Sequence, residues 1–436
     1  MSRTGSSATP VAADSNKLLA SDRAGHDWYR FVLSFPPHLV RDYLGRLGIE
    51  HSQCVLDPFC GTGTTLVECK KLGIPSVGVE ANPMACLASR VKTDWSPDPD
   101  EFLAHAEHVA ELALVELRAQ GIDDDFFFSA PTKPTVPLRS LPPEQMRLLL
   151  ENSISPLPLH KTLVLLDKLD EQRDDRFYHH ERLALAKALI GSIGNLHFGP
   201  EVGVRNPKED APVTGSWLDC IQAMARDLGA LGPLSATSCV VHHADARSAA
   251  GILEAESIDA VITSPPYPNE KDYTRTTRLE SVLLGMIHSR AELRALKQGL
   301  VRSNTRNVYV DDEDDRWVAD HPEVQRIAEA IEARRIELGK TSGFERSYHR
   351  VVKLFFGGMA RHLAGLRTVL RPGARLAYVV GDQASFLRVM IRTGRILADI
   401  AQSLGYELLG IDLFRTRFAT ASREQLREEA VVLRWP

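Results

Sequence analysis

Cysteine is scarce in this sequence. The six thiols in 436 residues, at positions 54, 60, 69, 86, 220 and 239, form no C-x-x-C pair and no spacing with histidine suited to zinc. A disulfide framework and a metal site are therefore not expected, and reduced thiols are the default. No apolar run reaches the roughly 18 residues that a membrane span needs. The opening "MSRTGSSATPVAADSNK" lacks the apolar central segment of a secretion signal. A cytoplasmic protein with a disordered lead-in over residues 1–20 is the expectation. Excess charge is missing too: 52 Lys and Arg against 57 Asp and Glu leave a net −5, so a basic coat over the whole surface is excluded while a local basic face is not.

What is present is an alternation of short apolar runs with helix-period stretches. "QCVLD" (Gln53–Asp57) enters a Gly/Thr loop, Thr65–Leu72 reads as a helix and "IPSVGVE" (Ile74–Glu80) as a second strand, which is a βαβ unit and the start of a parallel sheet. Five more strands are expected at Ser238–His243, Ile258–Thr263, Ala374–Val380, Glu407–Phe414 and Ala430–Trp435. Seven strands in an α/β sheet follow. Two long helical stretches interrupt them, seamed by "SPDPD" (Ser96–Asp100) and "GPLSATS" (Gly232–Ser238). The sheet protein is thus expected over 21–95 (a ligand-binding half), 236–288 and 348–436, with helical insertions over 96–235 and 289–347. The acidic run "DDEDDR" (Asp311–Arg316) reads as a solvated loop.

Two further absences narrow the glycine loop "VLDPFCGTGTTLVE" (Val55–Glu68). Leu66 stands where a dinucleotide fingerprint has its third glycine, and no Gly-Lys-Ser/Thr follows, which weakens nicotinamide and nucleoside triphosphate readings. A nucleoside without phosphates fits better. Gly61 and Gly63 let a ligand approach the backbone and the helix N-terminus. Glu80, closing the next strand, is placed to accept both ribose hydroxyls. Asp245, just past the third strand, suits an exocyclic amino group, and Asp57 an ammonium.

"VITSPPYPNEKDYTRTTRLE" (Val261–Glu280) ends a buried-looking run on a serine, two prolines and a tyrosine. Consecutive prolines remove backbone donors and stiffen the corner, leaving carbonyls and hydroxyls free to hold something. "DPFCGTGTT" with "VGVEANP" (Val77–Pro83) resembles the cofactor motifs of S-adenosylmethionine-dependent amino-methyltransferases acting on DNA, and "SPPY" resembles their catalytic motif. "HDWYRFVLSFPPHLV" (His26–Val40) is similar to the segment that caps the methionine end of the cofactor in that family.

The resemblance implies a Rossmann-like class I methyltransferase sheet. It implies a cofactor site drawn from Tyr29, Phe35, Pro36, Asp57, Phe59, Gly61, Gly63, Thr64, Thr65, Glu80, Asn82 and Asp245. At the catalytic motif, Ser264 Oγ and the Pro265 carbonyl are expected to take the amino hydrogens, Pro266 to stiffen the corner and Tyr267 to stack on a base flipped out of duplex DNA. Arg275 and Arg278 are expected as phosphate clamps. Arg205, in Asn195–Lys208, and Arg302 and Arg306, in Gly299–Tyr309, are further candidates for DNA contact. Serine before the prolines favours cytosine N4 over adenine N6 as the acceptor. An RNA guanine methyltransferase and an inactive nucleic-acid-binding subunit stay open, as does a restriction or phage-defence partner. C5-cytosine chemistry is disfavoured because no Pro-Cys dipeptide supplies its nucleophile.

Overall fold

A computed structural model describes residues 18–29, 34–124, 134–199, 201–419 and 424–436. The greater part of the expected lead-in, residues 1–17, lies outside the described residues. All seven anticipated strands form, as β1 (Val55–Asp57), β2 (Ser76–Glu80), β5 (Cys239–His243), β6 (Ile258–Thr263), β7 (Leu370–Gly381), β8 (Glu407–Ala419) and β9 (Glu424–Arg434). A small separate hairpin, β3 (Leu196–Phe198) with β4 (Val202–Val204), is additional and occupies the stretch expected to contact DNA. The large sheet has the order β5-β2-β1-β6-β7-β9-β8. Its strands run parallel except β9, which is antiparallel to β7 and β8.

Alternating side chains supply a core on each face of this sheet. Val55, Ala260 and Ile262 pack with Leu39, Val40 and Tyr43 of α1 (Pro37–Arg46). Helices α2 (Thr64–Lys71) and α3 (Pro83–Lys92) follow β1 and β2. Proline at the first position starts both α1 and α3, where a missing N–H costs nothing. The first insertion contributes α4 (Pro99–Ala119), α5 (Pro156–Glu171), α6 (Tyr178–Ala188) and α7 (Val213–Leu231). These bury Phe102, Leu165, Leu185 and Trp217 in a core shared with Met84 and Val91 of α3. After β6 the chain forms α8 (Arg278–Leu283), and the second insertion adds α9 (Pro322–Glu337). On the second face, Leu56, Val261 and Tyr378 meet Phe355, Phe356 and Leu363 of α10 (Gly343–Leu366), with Ile396 of α11 (Thr393–Ser403). The described residues include no helix long and apolar enough to cross a membrane.

The acidic run is not solvated along its whole length. Asp314 is buried and bonds Arg247 and Arg361, because it lies against α10 at a position where the helix has no side chain. A Cβ on Gly357 would come within 1.9 Å of the Asp314 carbonyl oxygen, so the insertion docks by backbone contact. Gly357→Ala should therefore cost about 1–3 kcal/mol through forced displacement. Urea unfolding checks this, and an unchanged midpoint would contradict the docking.

Candidate active site

Sheet order decides where a ligand can sit. Chain connections leave β1 in opposite directions, towards β2 and β5 on one side and β6 and β7 on the other, which opens a crevice beyond its carboxyl end. A cavity of about 660 Å³ occupies that place, lined by the loops after β1, β2, β5, β6 and β7.

The glycine loop is shaped from both sides. Gly61 and Gly63 have φ of +52° and +83°, which side chains resist. A Cβ on Gly63 would also stand 3.2 Å from the Ser89 Cα, so the start of α2 and the body of α3 approach only around a glycine. Glu80 Oε2 accepts the Gly61 N–H at 2.9 Å and Oε1 accepts the Asn82 N–H at 2.7 Å. One carboxylate thus holds two loops while facing the cavity. Burial pushes it up to about 7. Beside it, Phe59 meets the His362 ring edge-on at 4.9 Å. Asp245 is gripped by Arg247, whose Nη2 lies 2.6 Å from Oδ2.

Of the residues expected at the cofactor, Phe35, Phe59, Gly61, Thr64, Glu80, Asn82 and Asp245 line the cavity. Tyr29, Pro36, Asp57, Gly63 and Thr65 are not among its walls. Each has a structural task. Tyr29 is buried and donates its hydroxyl to Glu280 at 2.5 Å, and Pro36 precedes α1 as its N-cap. Gly63 caps α2, and the Thr65 hydroxyl donates to the Ile262 carbonyl at 3.1 Å. Asp57 accepts the Thr263 hydroxyl at 2.6 Å and the Phe59 N–H at 3.2 Å, with burial pushing it up to about 6. Both bonds fall on Oδ1, which locks β1 to β6, while Oδ2 is buried without a hydrogen-bond partner among the described residues.

Ser264, Pro265, Pro266 and Tyr267 all line the cavity. Ser264 Oγ donates to the Val379 carbonyl at 3.0 Å. Its single hydrogen is spent there, so the Tyr267 hydroxyl at 3.4 Å is the donor to one Oγ lone pair and the other remains for an incoming donor. No hydrogen bond reaches the Pro265 carbonyl among the described residues. Tyr267 holds its hydroxyl 3.4 Å from Ser264 Oγ, and burial pushes its ionisation far up, so it is a neutral phenol. The Tyr267 ring lies against Gly381, where a Cβ would sit 3.2 Å from Cε2. Cys60 also borders the cavity, but burial raises its thiol well above the usual range, away from nucleophilic thiolate.

The arginines divide. Arg278 is buried, with Nη2 on the Thr274 hydroxyl at 2.8 Å and Nη1 on the Leu148 carbonyl at 3.3 Å. Arg302 is buried on Asp312 at 2.6 Å. Both are corrected to structural residues, since their guanidinium groups are already bound inside the protein. Arg205 and Arg306 are exposed. Arg275 is half-buried, its Nε without a partner among the described residues, and with Lys271 and Arg306 it lines a small cleft against the β3–β4 hairpin. Sequence reasoning missed Asn269, Lys271, Gln383, Arg415 and Arg417 in the main cavity. Gln383 follows a strand adjacent to β6, and position beyond a strand's carboxyl end was the signal that could have found it.

Against this geometry stand one family model and three relatives. A family model described as DNA methylase matches residues 15–90. The chain is 24% identical over 453 aligned positions to the type II methyltransferase M.BsoBI of Geobacillus stearothermophilus, across 96% of this chain and 87% of that protein. To the type II methyltransferase M.AvaI of a Nostoc species it is 23% identical, across 94% of this chain and 86% of that protein. A 67-residue segment, 15% of this chain and 12% of the relative, is 39% identical to the type II methyltransferase M.MjaII of Methanocaldococcus jannaschii. With the sheet order, the acid-held glycine loop and the proline corner on one cavity, the chain is similar to type II DNA methyltransferases over nearly its whole length, and its N-terminal part matches the DNA methylase model.

Proposed function

We propose that this enzyme methylates the N4 amine of a cytosine flipped out of duplex DNA, at a defined site, as the modifying half of a restriction-modification pair. The observation that carries the reading is the joint lining of one cavity by Glu80 and Asp245 on one side of β1 and by the Ser264–Tyr267 corner on the other. Serine before the prolines supports cytosine, and the type II names of the relatives support a site-specific enzyme with a nuclease counterpart.

The residues fit the cofactor. Two carboxylates at neighbouring strand ends, beside a backbone turn without side chains, match the hydroxyl and amino donors of a nucleoside. Glu80 would hold the ribose, Asp245 the adenine amine, and Phe59 the face of the ring. When bound, the cofactor supplies an electrophilic methyl group on a sulfonium sulfur. Asp57 and Thr263 act below the site by keeping the two loops in register.

On the acceptor side, Ser264 Oγ and the Pro265 carbonyl would take the two amino hydrogens. That draws the nitrogen lone pair out of ring conjugation and shares the positive charge developing on nitrogen. Tyr267 offers a ring for the base to stack upon. Phosphate contact falls to Arg275, whose Nε has no partner among the described residues, and to the exposed Arg306 and Arg205. Unstacking a base costs a few kcal/mol, offset by such contacts.

Incubation with isotopically labelled cofactor followed by mass spectrometry of nucleosides tests the reading. Label in N4-methylcytosine from DNA is expected, and Ser264→Ala should lower the rate about 100-fold or more while leaving cofactor binding intact. Label in adenine N6 would overturn the base assignment, and label confined to RNA the whole reading. Glu80 adds a pH prediction. Hydroxyl donors favour its ionised form, so binding depresses a carboxyl that stands at about 7 in the free protein. Affinity for S-adenosylhomocysteine should then rise with pH from about 6 to about 8. Glu80→Gln should weaken binding roughly tenfold and flatten that slope by calorimetry; an unchanged slope would remove Glu80 from the cofactor site.

A further inference from the structure

The second insertion enters the catalytic cavity. Gly299, Val301, Ser303 and Asn307 all line it, although more than thirty residues of chain separate them from the catalytic corner. Asn307 stands out among them. It is 1% exposed, and its Oδ1 has no hydrogen-bond partner among the described residues. A buried amide oxygen left unpaired is unfavourable, and native proteins seldom leave one without a reason.

The segment that presents Asn307 is fastened to the loop leaving the proline corner. The Asn269 and Glu270 N–H groups donate to the Ser303 carbonyl at 3.2 and 3.3 Å. Asn304 Nδ2 donates to the Lys271 carbonyl at 2.9 Å. Thr305 gives the Glu270 carboxylate its N–H at 3.0 Å and its hydroxyl at 2.9 Å. Glu270 itself has φ +68°, a conformation that a non-glycine residue keeps only where its surroundings enforce it. These staples run to residues 269–271, whereas the insertion's ties to the Asp245 loop, from Arg247 to the Gln298 carbonyl and to Asp314, lie outside the segment that presents Asn307. Asn307 is therefore placed with the acceptor half of the cavity.

From this we infer that Asn307 is a specificity-determining residue, the side chain that reads the edge of the target base. The inference rests on the proposed amine methylation. With both amino hydrogens taken by Ser264 and Pro265, the neighbouring ring nitrogen of the base is a hydrogen-bond acceptor in need of a donor. This is N3 in cytosine and N1 in adenine. Half a turn of the carboxamide exchanges oxygen for NH2 with little change of shape, so the unpaired position supplies that donor. The second insertion thereby forms the wall that checks the base before transfer, apart from any contact it makes to the duplex outside.

A double-substitution cycle tests it. Single-turnover methylation is measured for the wild type and for Asn307→Ala, on the cognate duplex and on one whose target carries carbon in place of that ring nitrogen. The expected result is a rate about tenfold lower for either change alone and no further loss when they are combined, with S-adenosylhomocysteine affinity within about twofold of wild type. Additive losses would overturn the contact, and lost cofactor affinity would move Asn307 to the cofactor side. Asn307→Asp keeps the shape and removes the donor, so it should repeat the loss with thermal stability retained, separating recognition from misfolding. Wild-type transfer to the unmodified duplex is the control: its absence would refute the proposed function, independently of Asn307.

Discussion

A hydrogen bond inside the sheet holds together the two strands whose loops meet in the cavity. Thr263, the last residue of β6, donates to Asp57, the last residue of β1, at 2.6 Å, and Thr65 returns from α2 to the Ile262 carbonyl. Beyond these residues the chain turns one way into the glycine loop and the other way into the proline corner. Because neighbouring strands stand about 4.8 Å apart, loops leaving adjacent strands share a cavity without any long side chain to bridge them. A buried carboxylate is costly, and its ionisation is pushed up to about 6 by that burial, yet here it joins strands from segments 206 residues apart in sequence.

The same economy recurs at Glu80. Its two oxygens accept N–H groups from the glycine loop and from the start of α3, so the group proposed for ribose recognition also builds the turn it serves. Ser264 repeats the pattern with the Val379 carbonyl, which consumes its hydrogen and leaves a lone pair turned to use. In both cases a backbone partner fixes the side chain's role beforehand, so that little reorganisation is left for the moment of binding.

Much of the frame was legible. Short buried runs such as Ile258–Thr263, closed by turn-forming residues, can hardly be anything but interior parallel strands. Strand order was not legible, because β1 and β6 are neighbours through contacts that span the first insertion. The β3–β4 hairpin escaped notice since three-residue strands carry no periodicity. Charge misled in a definite way. Arg278 and Arg302 read as free cations, but Thr274, Leu148 and Asp312 consume them inside the fold, and Asp314 in a seemingly solvated acidic run is buried against Gly357. Whether a charged side chain is free depends on tertiary partners, which local sequence does not reveal. Asn307 and Gln383 were invisible for the same reason.

The central claim is that methyl donor and target amine meet in one cavity over the β1–β6 switch point. A crystal structure of the enzyme with S-adenosylhomocysteine and a cognate duplex measures this directly. The account predicts the cofactor sulfur and the target amine nitrogen facing each other across a gap of about 4–5 Å, room for one methyl group, with the amine against Ser264 and Pro265. A cofactor bound away from Glu80, or a target base still stacked in the duplex beside an occupied site, would contradict it.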